Sequence, residues 1–298
     1  MFSQGGGKRA SALAGITAAL CLLATAVAQP APADHPDNSA SPPPNLMEIV
    51  RKALSQDGGN FERARDYIYH RHVVEKRLDG DGRVKKTEDR AFEQFVLYGE
   101  PFERLIARDG RPLSEKEQQK EEERWEKLEK SVRYESPAEK RDRQQQRDKK
   151  RRENRAALLR ELPAAFDFSF KGSEVVNGRD TWVIAATPKP GYHPGNSRAE
   201  ILPHLRCTFW VDKRESQWVK AEAELIDNFN YAIFLARIYK GSRLVFEQQK
   251  VNNEVWLPKR QYVNASGRLL LMSGGVQQET TFSGYRKFRV ESRIVSSQ

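Results

Sequence analysis

His70 and His72 stand two residues apart in the run YIYHRHVV. On a strand that spacing sets both imidazoles on one face, and with a third ligand they would hold zinc. The other histidines, His35, His193 and His204, fall in proline-rich or loop-like stretches, with no third ligand in register. The pair therefore reads as partly exposed strand histidines, with no metal site. Asp79-Gly80-Asp81-Gly82 opens like a calcium loop, yet Arg90 occupies the twelfth position, where such a loop needs a bidentate glutamate. A hairpin turn is the expectation there. Cys207 sits between Leu205 and Phe209 at strand spacing, the pattern of a small buried hydrophobe rather than an activated nucleophile. The chain contains no glycine-rich phosphate loop and no GxSxG, CxxC or HExxH motif. These residues predict a protein that is not an enzyme and has no catalytic residues.

The histidines, the turn and the cysteine all lie on segments with a two-residue period. YIYHRHVVEKRL, RVKKTEDRAFEQFVLYG and PFERLIARDG come first. FDFSFKGSEVV and RDTWVIAATPK follow around Asn177-Gly178, then LRCTFWVDK, QWVKAEAELID, SRLVFEQQKV, EVWLPKRQYVNAS, RLLLM and QQETTFSGYRKF. The short turns between them predict an antiparallel meander of about ten strands that curls. Between Trp218 and Asp227, Val219, Ala221, Ala223 and Leu225 alternate with Lys220, Glu222 and Glu224. One face seeks an apolar interior and the other seeks water. Leu205, Cys207, Phe209 and Val211 form a matching stripe, and Leu244 with Phe246 another. Ahead of the first strand, NLMEIVRKALSQ has Asn45 and Glu48 at capping-box positions and Leu46, Ile49, Val50 and Ala53 on one helical face. Asp57-Gly58-Gly59 is expected to close that helix.

Residues 114–162 break the strand pattern. Ser114-x-x-Glu117 and Ser136-Pro137-x-Glu139 are two capping boxes, and they predict helices over about 115–134 and about 137–162. Trp125, Leu128 and Val132 make a thin stripe on the first, while the second is apolar near its end, at Leu158, Leu159 and Leu162. Residues 115–135 carry six cations and eight acids; residues 140–155 carry nine cations and three acids. An acidic helix followed by a basic one suits an antiparallel hairpin with attraction across the pair, and the surplus positive charge, Lys149, Lys150, Arg151 and Arg152 included, faces outward.

Lys8 and Arg9 precede an apolar run from Ala10 to Ala26, and Ala26-Val27-Ala28 supplies a small-x-small exit. This is the layout of a signal peptide cleaved after Ala28. A membrane anchor would need roughly 20 apolar residues, and acylation at Cys21 would need a small residue where Leu20 stands. Residues 29–44 hold six prolines in sixteen residues and read as a disordered tether. Loss of residues 1–28 removes two cations and no acid, so the formal charge of +10 becomes +8. Export to the periplasm argues against nucleic acid as the partner of the basic run.

Asn177-Gly178-Arg179 is followed by Trp182-Val183-Ile184 and Pro188-Lys189, then by Phe209-Trp210-Val211-Asp212-Lys213 and Val255-Trp256-Leu257-Pro258. In these motifs, from roughly Asn45 to Phe288 and most strongly after Phe166, the chain resembles the LolA/LolB-like periplasmic proteins of outer-membrane lipoprotein sorting. The resemblance implies a mainly β fold with α: a curved, unclosed antiparallel β-barrel with an N-terminal helix and an apolar concave face covered by helices. Here it would form a single domain, 45–298, with 114–162 as an inserted charged helical hairpin. It also implies non-covalent binding of a hydrophobic ligand, without a cofactor.

Two functions follow. In the first, a lipid or lipoprotein acyl chain lies against the concave face, lined by Phe95, Leu97, Trp182, Ile184, Phe209, Val211, Val219, Leu225 and Phe246. Within NFNYAIFLARIYKG, the residues Phe229, Tyr231, Phe234 and Leu235 then form either a core-filling short helix or a flap over the mouth. In the second, the barrel is a packed envelope scaffold or sensor, and its basic hairpin docks on anionic lipid or an acidic protein. The oligomeric state is not encoded in any motif.

Overall fold

The computed structural model describes residues 45–64, 67–97, 100–133, 136–231, 236–270 and 272–288; the expected signal peptide and tether lie outside them. Helix α1 (Leu46–Ala64) leads into β1 (Tyr67–Leu78), β2 (Val84–Leu97), β3 (Glu100–Arg108) and the short β4 (Arg111–Pro112). Helices α2 (Glu115–Arg133) and α3 (Pro137–Ala165) come next. Then follow β5 (Phe166–Val176), β6 (Arg179–Pro188), a 3-10 turn at Leu202–His204, β7 (Leu205–Asp212) and β8 (Trp218–Leu225). The chain ends in β9 (Phe229–Tyr231), β10 (Ala236–Ile238), β11 (Arg243–Val251), β12 (Val255–Leu269) and β13 (Met272–Lys287). Among the described residues no helix is long and apolar enough to cross a membrane.

The strands make one antiparallel sheet in the order β4-β3-β2-β1-β13-β12-β11-β8-β7-β6-β5, with the β9–β10 hairpin attached to β12. Almost every neighbour is a hairpin neighbour, as the short turns require. The exceptions are β1, which zips along β13 from Tyr67↔Lys287 to Leu78↔Gly275, and β11, which pairs with β8 across the intervening β9–β10 hairpin. The ends of the sheet, β3–β4 and β5, do not pair with each other, so the barrel stays unclosed. Helices α2 and α3 carry the chain from one free edge to the other. The sheet is strongly curved: the Arg179 guanidinium of β6 lies 5.2 Å from the Trp256 ring of β12, although in a flat sheet those strands would be about 19 Å apart.

Both predicted capping positions before the first two helices are occupied as expected. Asn45 Oδ1 accepts the Glu48 N–H at 3.0 Å. At α2, Glu117 Oε2 accepts from the Ser114 N–H at 2.9 Å and from its hydroxyl at 2.6 Å. Helix α1 does not stop at Asp57-Gly58-Gly59; it runs through both glycines to Ala64. The cause is tertiary. Asn60, buried, donates Nδ2–H to the Trp256 carbonyl and accepts the Trp256 N–H on Oδ1, both at 2.7 Å. Its amide pairs with β12 where β13 does not reach, and that tie outweighs the roughly 1 kcal/mol that each helical glycine costs.

Free edge β3 is covered by α2. Glu121, itself buried, accepts the Leu105 N–H at 3.0 Å, and Arg124 donates to the Glu103 carbonyl at 2.8 Å. These side chains satisfy edge groups that would otherwise template pairing with another chain. Trp125 stacks on Phe95 of β2 and Phe102 of β3, ring centroids 4.4 and 5.9 Å apart. The thin stripe of α2 therefore rests on the sheet. Among the described residues, the ion pairs of α2 run to β3, to β4 or within the helix.

Candidate functional site: the apolar face and the basic helix

Cross-strand register defines the apolar face. Ile184 of β6 stands opposite Phe209 of β7, Phe209 opposite Ala221 of β8, and Ala221 opposite Phe246 of β11. Cys207, Ala223 and Leu244 form the next row. These residues, Phe246 excepted, share one buried cluster with Ile49, Val50 and Ala53 of α1, Ala165 at the end of α3, and Ile201 and Leu202 of the 3-10 turn. The apolar stripe of α1 thus packs directly against this face. Ile184 and Val211 are 0% exposed and Leu225 is 2%. A side chain with no surface open to a water-sized space lines no cavity, so Ile184, Val211 and Leu225 are packed on all sides.

The predicted lining residues do not all meet. Ile184, Phe209, Val211 and Leu225 lie together in the cluster, with Trp182 partly buried against it. Phe246 stands on the same face but is half-buried, opposite Gln261, where the face turns polar. Val219 is displaced by a β-bulge: Trp210 pairs with Lys220 and Val211 with Trp218, which leaves Val219 without a partner. Trp218 takes the position on the apolar face instead, its ring 4.7 Å from that of Phe209. Phe95 falls on the other face of the sheet, because Phe92, three residues before it, is opposite Arg71 in the row that continues the apolar face. The side chain of Leu97 lies outside the described set. Of the flap residues, Phe229 is buried in the core beside His204, and β9 pairs with β10 as a short hairpin in place of the helix considered above. Phe234, Leu235 and the side chain of Tyr231 lie outside the described residues.

Followed past β12, the same face becomes charged. Arg71 makes a two-pronged pair with Glu103, at 2.7 and 2.6 Å, under the Phe92 ring. Glu75 pairs with Arg77 at 2.8 Å and Arg90 at 3.4 Å. His70 and His72, on the opposite face, stand 3.5 Å from Glu93 and 2.7 Å from Asp89. Among the described residues no group of three or more His, Cys, Asp or Glu side chains is placed to hold a metal. Burial pushes the Cys207 thiol up to about 12, so at neutral pH it is a packed thiol and not a thiolate.

The motifs that carry the family resemblance converge at one end of the sheet. Asp212, 1% exposed, accepts the N–H groups of Arg214 and Glu215 on Oδ1 and pairs with Arg179 at 2.7 Å through Oδ2. Glu215 gathers Arg179 at 2.6 Å, Lys250 at 2.7 Å and the Trp256 indole N–H at 3.0 Å. Arg179, Asp212 and Trp256 come from three different motifs, and together they pin the turn after β7 against β12. Glu215 was not singled out from sequence; its signal was the recurrence of charged and aromatic residues at those strand ends. The cluster is fully partnered and holds the curvature of the sheet.

Helix α3 is the charged element. From Lys140 to Arg155 it contains no apolar residue, so no face of that stretch can drive burial. Lys149 and Lys150 are exposed; Lys149 meets Glu153 at 3.9 Å along the helix. Arg151 and Arg152 lie on the same helix, their side chains outside the described set. The helix is moored at its other end. Glu161 accepts from the Tyr192 hydroxyl at 2.6 Å and from Asn196 at 3.3 Å, and Lys189 donates to the carbonyls of Ala165 and Pro163.

At the head of α2, hydrogen bonds from the Ser114 hydroxyl and N–H, with Arg111 beside them, hold the Glu117 carboxyl down to about 2. A depressed carboxyl stabilises the fold above its unfolded value, about 4.3, and that contribution is lost as pH falls through its folded value. The start of α2 should therefore loosen between about pH 4.3 and about pH 2. The Glu117 side-chain carboxyl shift in a carbon NMR titration reads this directly; a midpoint near 4.3 would refute the cap's electrostatics.

No family model matches the chain, and no curated protein matches it. Solved structures do. A protein domain named for outer membrane lipoprotein sorting, from Vibrio parahaemolyticus, matches at 11% identity over 80% of this chain and 92% of that one, with a TM-score of 0.29. A LolA superfamily protein from Nitrosomonas europaea matches at 10% identity over 82% and 93%, TM-score 0.24. The Pseudomonas aeruginosa MucA/MucB complex matches at 10% identity over 81% and 98%, TM-score 0.22. At these TM-scores the likeness fixes no correspondence between individual residues.

Proposed function

We propose that the chain is a non-enzymatic LolA-like protein of the cell envelope that works by docking: a packed, curved scaffold that presents basic helix α3 to an anionic membrane surface. The observation that carries this reading is the pairing of a closely packed β6–β8 face with a helical stretch, residues 140–155, that has no apolar side chain to bury. Side chains of α1 occupy the apolar face, and the net +6 of residues 140–155, nine cations against three acids, has no counterpart on α2 among the described residues. Near an anionic bilayer each Lys or Arg contributes about 1 kcal/mol, falling off within a Debye length. The signal-peptide reading of residues 1–28 places the protein where such a surface is available.

Flotation with phosphatidylglycerol vesicles tests it. Binding is expected to fall by tenfold or more between about 0.05 and about 0.5 M salt. Salt-insensitive binding, or equal binding to zwitterionic vesicles, would refute docking through α3. Capture on an acidic protein with no affinity for lipid would move the same surface to a protein partner.

The carrier reading keeps one specific support. Phe168, Trp182, Tyr192 and Leu162 border the core only partly buried, as an entrance would, and a lipid or lipoprotein acyl chain could enter there by displacing α1. Mass spectrometry of gently purified protein decides between the two: co-purifying lipid favours the carrier, its absence the scaffold.

A further inference from the structure

Two of the large apolar side chains that stand in water, Leu270 at 61% and Met272 at 65% exposure, belong to one turn. Leu269 pairs with Met272, and Leu270 follows it as a turn residue at the tip between β12 and β13. Two-residue hairpin turns need positive φ, which is why Asn, Asp and Gly fill them. This chain obeys that rule elsewhere: Asn177-Gly178 has φ of 52° and 74°, and Asp109-Gly110 has 51° and 70°. At the β12–β13 tip it does not, because Leu270 sits at φ 54°, a region where a bulky side chain is strained. Turn chemistry and solvation both disfavour leucine here, so the residue serves something outside the fold.

The surroundings indicate what. From Asn264 to Gln278 the sequence holds a single charged residue, Arg268, and β10 sets Arg237 opposite it. Gly80 of the β1–β2 turn lies against Ser273, which brings exposed Arg83, Val84 and Lys85 to the same end. The acids of that turn are engaged: Asp79 accepts the N–H groups of Asp81 and Arg83, and Asp81 lies 3.6 Å from the Arg83 guanidinium. An apolar tip in a cationic collar is complementary to the boundary between anionic headgroups and acyl chains. Register also puts the tip at the same end of the sheet as the root of α3. Phe166, which follows α3 directly, pairs with Pro188; Leu205 with Leu225; Arg243 with Glu224 and Asn264. The tip projects beyond Asn264 at that end.

We propose that the β12–β13 tip inserts into the headgroup–acyl boundary of an anionic bilayer, with Leu270 and Met272 among the chains and Arg268, Arg237 and Lys85 at the headgroups. The inference rests on the docking reading for the surface but not for the chemistry. The attraction of α3 is coulombic and weakens with salt; insertion of the tip is apolar and does not.

Protein purified from the periplasm of cells expressing the full chain is floated with phosphatidylethanolamine–phosphatidylglycerol vesicles at about 0.1 and about 1 M salt. Leu270→Asn gives the turn a residue its φ favours, so folding is kept or improved while the apolar tip is lost. Leu270→Asn and Met272→Thr are each expected to lose roughly tenfold or more of the binding that survives high salt, and Leu270→Asn to do so without a lower Tm. Unchanged salt-resistant binding in the double variant overturns the proposal, as does its absence in the unmodified protein. Loss of self-association with flotation unchanged would assign the tip to a second copy and equally overturn it. Charge reversal in α3 removes the salt-sensitive part alone, so failure of docking and failure of insertion are read separately.

Discussion

Asn60→Leu is expected to destabilise the protein by about 2–5 kcal/mol, although leucine matches asparagine closely in size and is the better helix former. The side chain satisfies two backbone groups of Trp256 at once, an N–H and a carbonyl, both at 2.7 Å in a buried setting. Each group left without a partner costs about 1–3 kcal/mol. The loss should concentrate at the C-terminal half of α1, where Gly58 and Gly59 leave the helix dependent on that anchor. Urea unfolding measures the total, and amide exchange of Asn60 to Ala64 locates it. Asn60→Asp separates the two bonds, since a carboxylate accepts the N–H but cannot donate to the carbonyl; an intermediate loss is expected. A leucine variant as stable as the parent would mean that α1 is held by its apolar stripe alone.

The second large effect is at Phe209. Its ring stacks on Trp218 and its neighbours across the sheet are Ile184 and Ala221, so Phe209→Ala opens a cavity in the packed half and should cost about 3–5 kcal/mol. The same substitution distinguishes a scaffold from a carrier. In a scaffold, salt-dependent vesicle binding by α3 survives as long as the protein is folded. In a carrier, Phe209 belongs to the ligand's own surface, and bound lipid is lost or changed before stability fails. Urea midpoint and vesicle affinity measured on one preparation report both; a stable variant with altered lipid content would contradict the packed interior.

How much of this was legible beforehand follows the range of the interactions. Capping is local, and Asn45 and the Ser114–Glu117 pair were readable from three or four residues. Alternation in β7 is nearly local, so Cys207 and Phe209 fell on the face expected of them. The bulge at Trp210–Val211 was not readable: it leaves no compositional mark, and a shift of one residue exchanges Val219 for Trp218 on the apolar face. Phe95 needs longer-range knowledge still, because its face is fixed by register through β1 and β13. The continuation of α1 past Gly58-Gly59 depends on a residue 196 positions away in the chain. The charge of α2 and α3 was plain from counting, but not that α2 would spend its acids on β3 and β4.

Legibility was worst where function is now placed. RLLLM read as one more strand, and only the pairing of Leu269 with Met272 shows that Leu270 is in a turn. The basic run of α3 was conspicuous from the start, yet a basic helix on an open interior and one on a filled interior imply different proteins. The near-zero exposure of Ile184, Val211 and Leu225 is what favours the second kind in the reading proposed above.

The most direct test of the account is vesicle flotation of the variant Lys149→Glu, Lys150→Glu, Arg151→Glu, Arg152→Glu beside the unmodified protein at low salt. Four cations at about 1 kcal/mol each predict a loss of phosphatidylglycerol binding of at least about 100-fold, with the urea midpoint unchanged because that stretch of α3 has no apolar side chain to bury. Binding that persists at parental strength in the folded variant would contradict docking through α3.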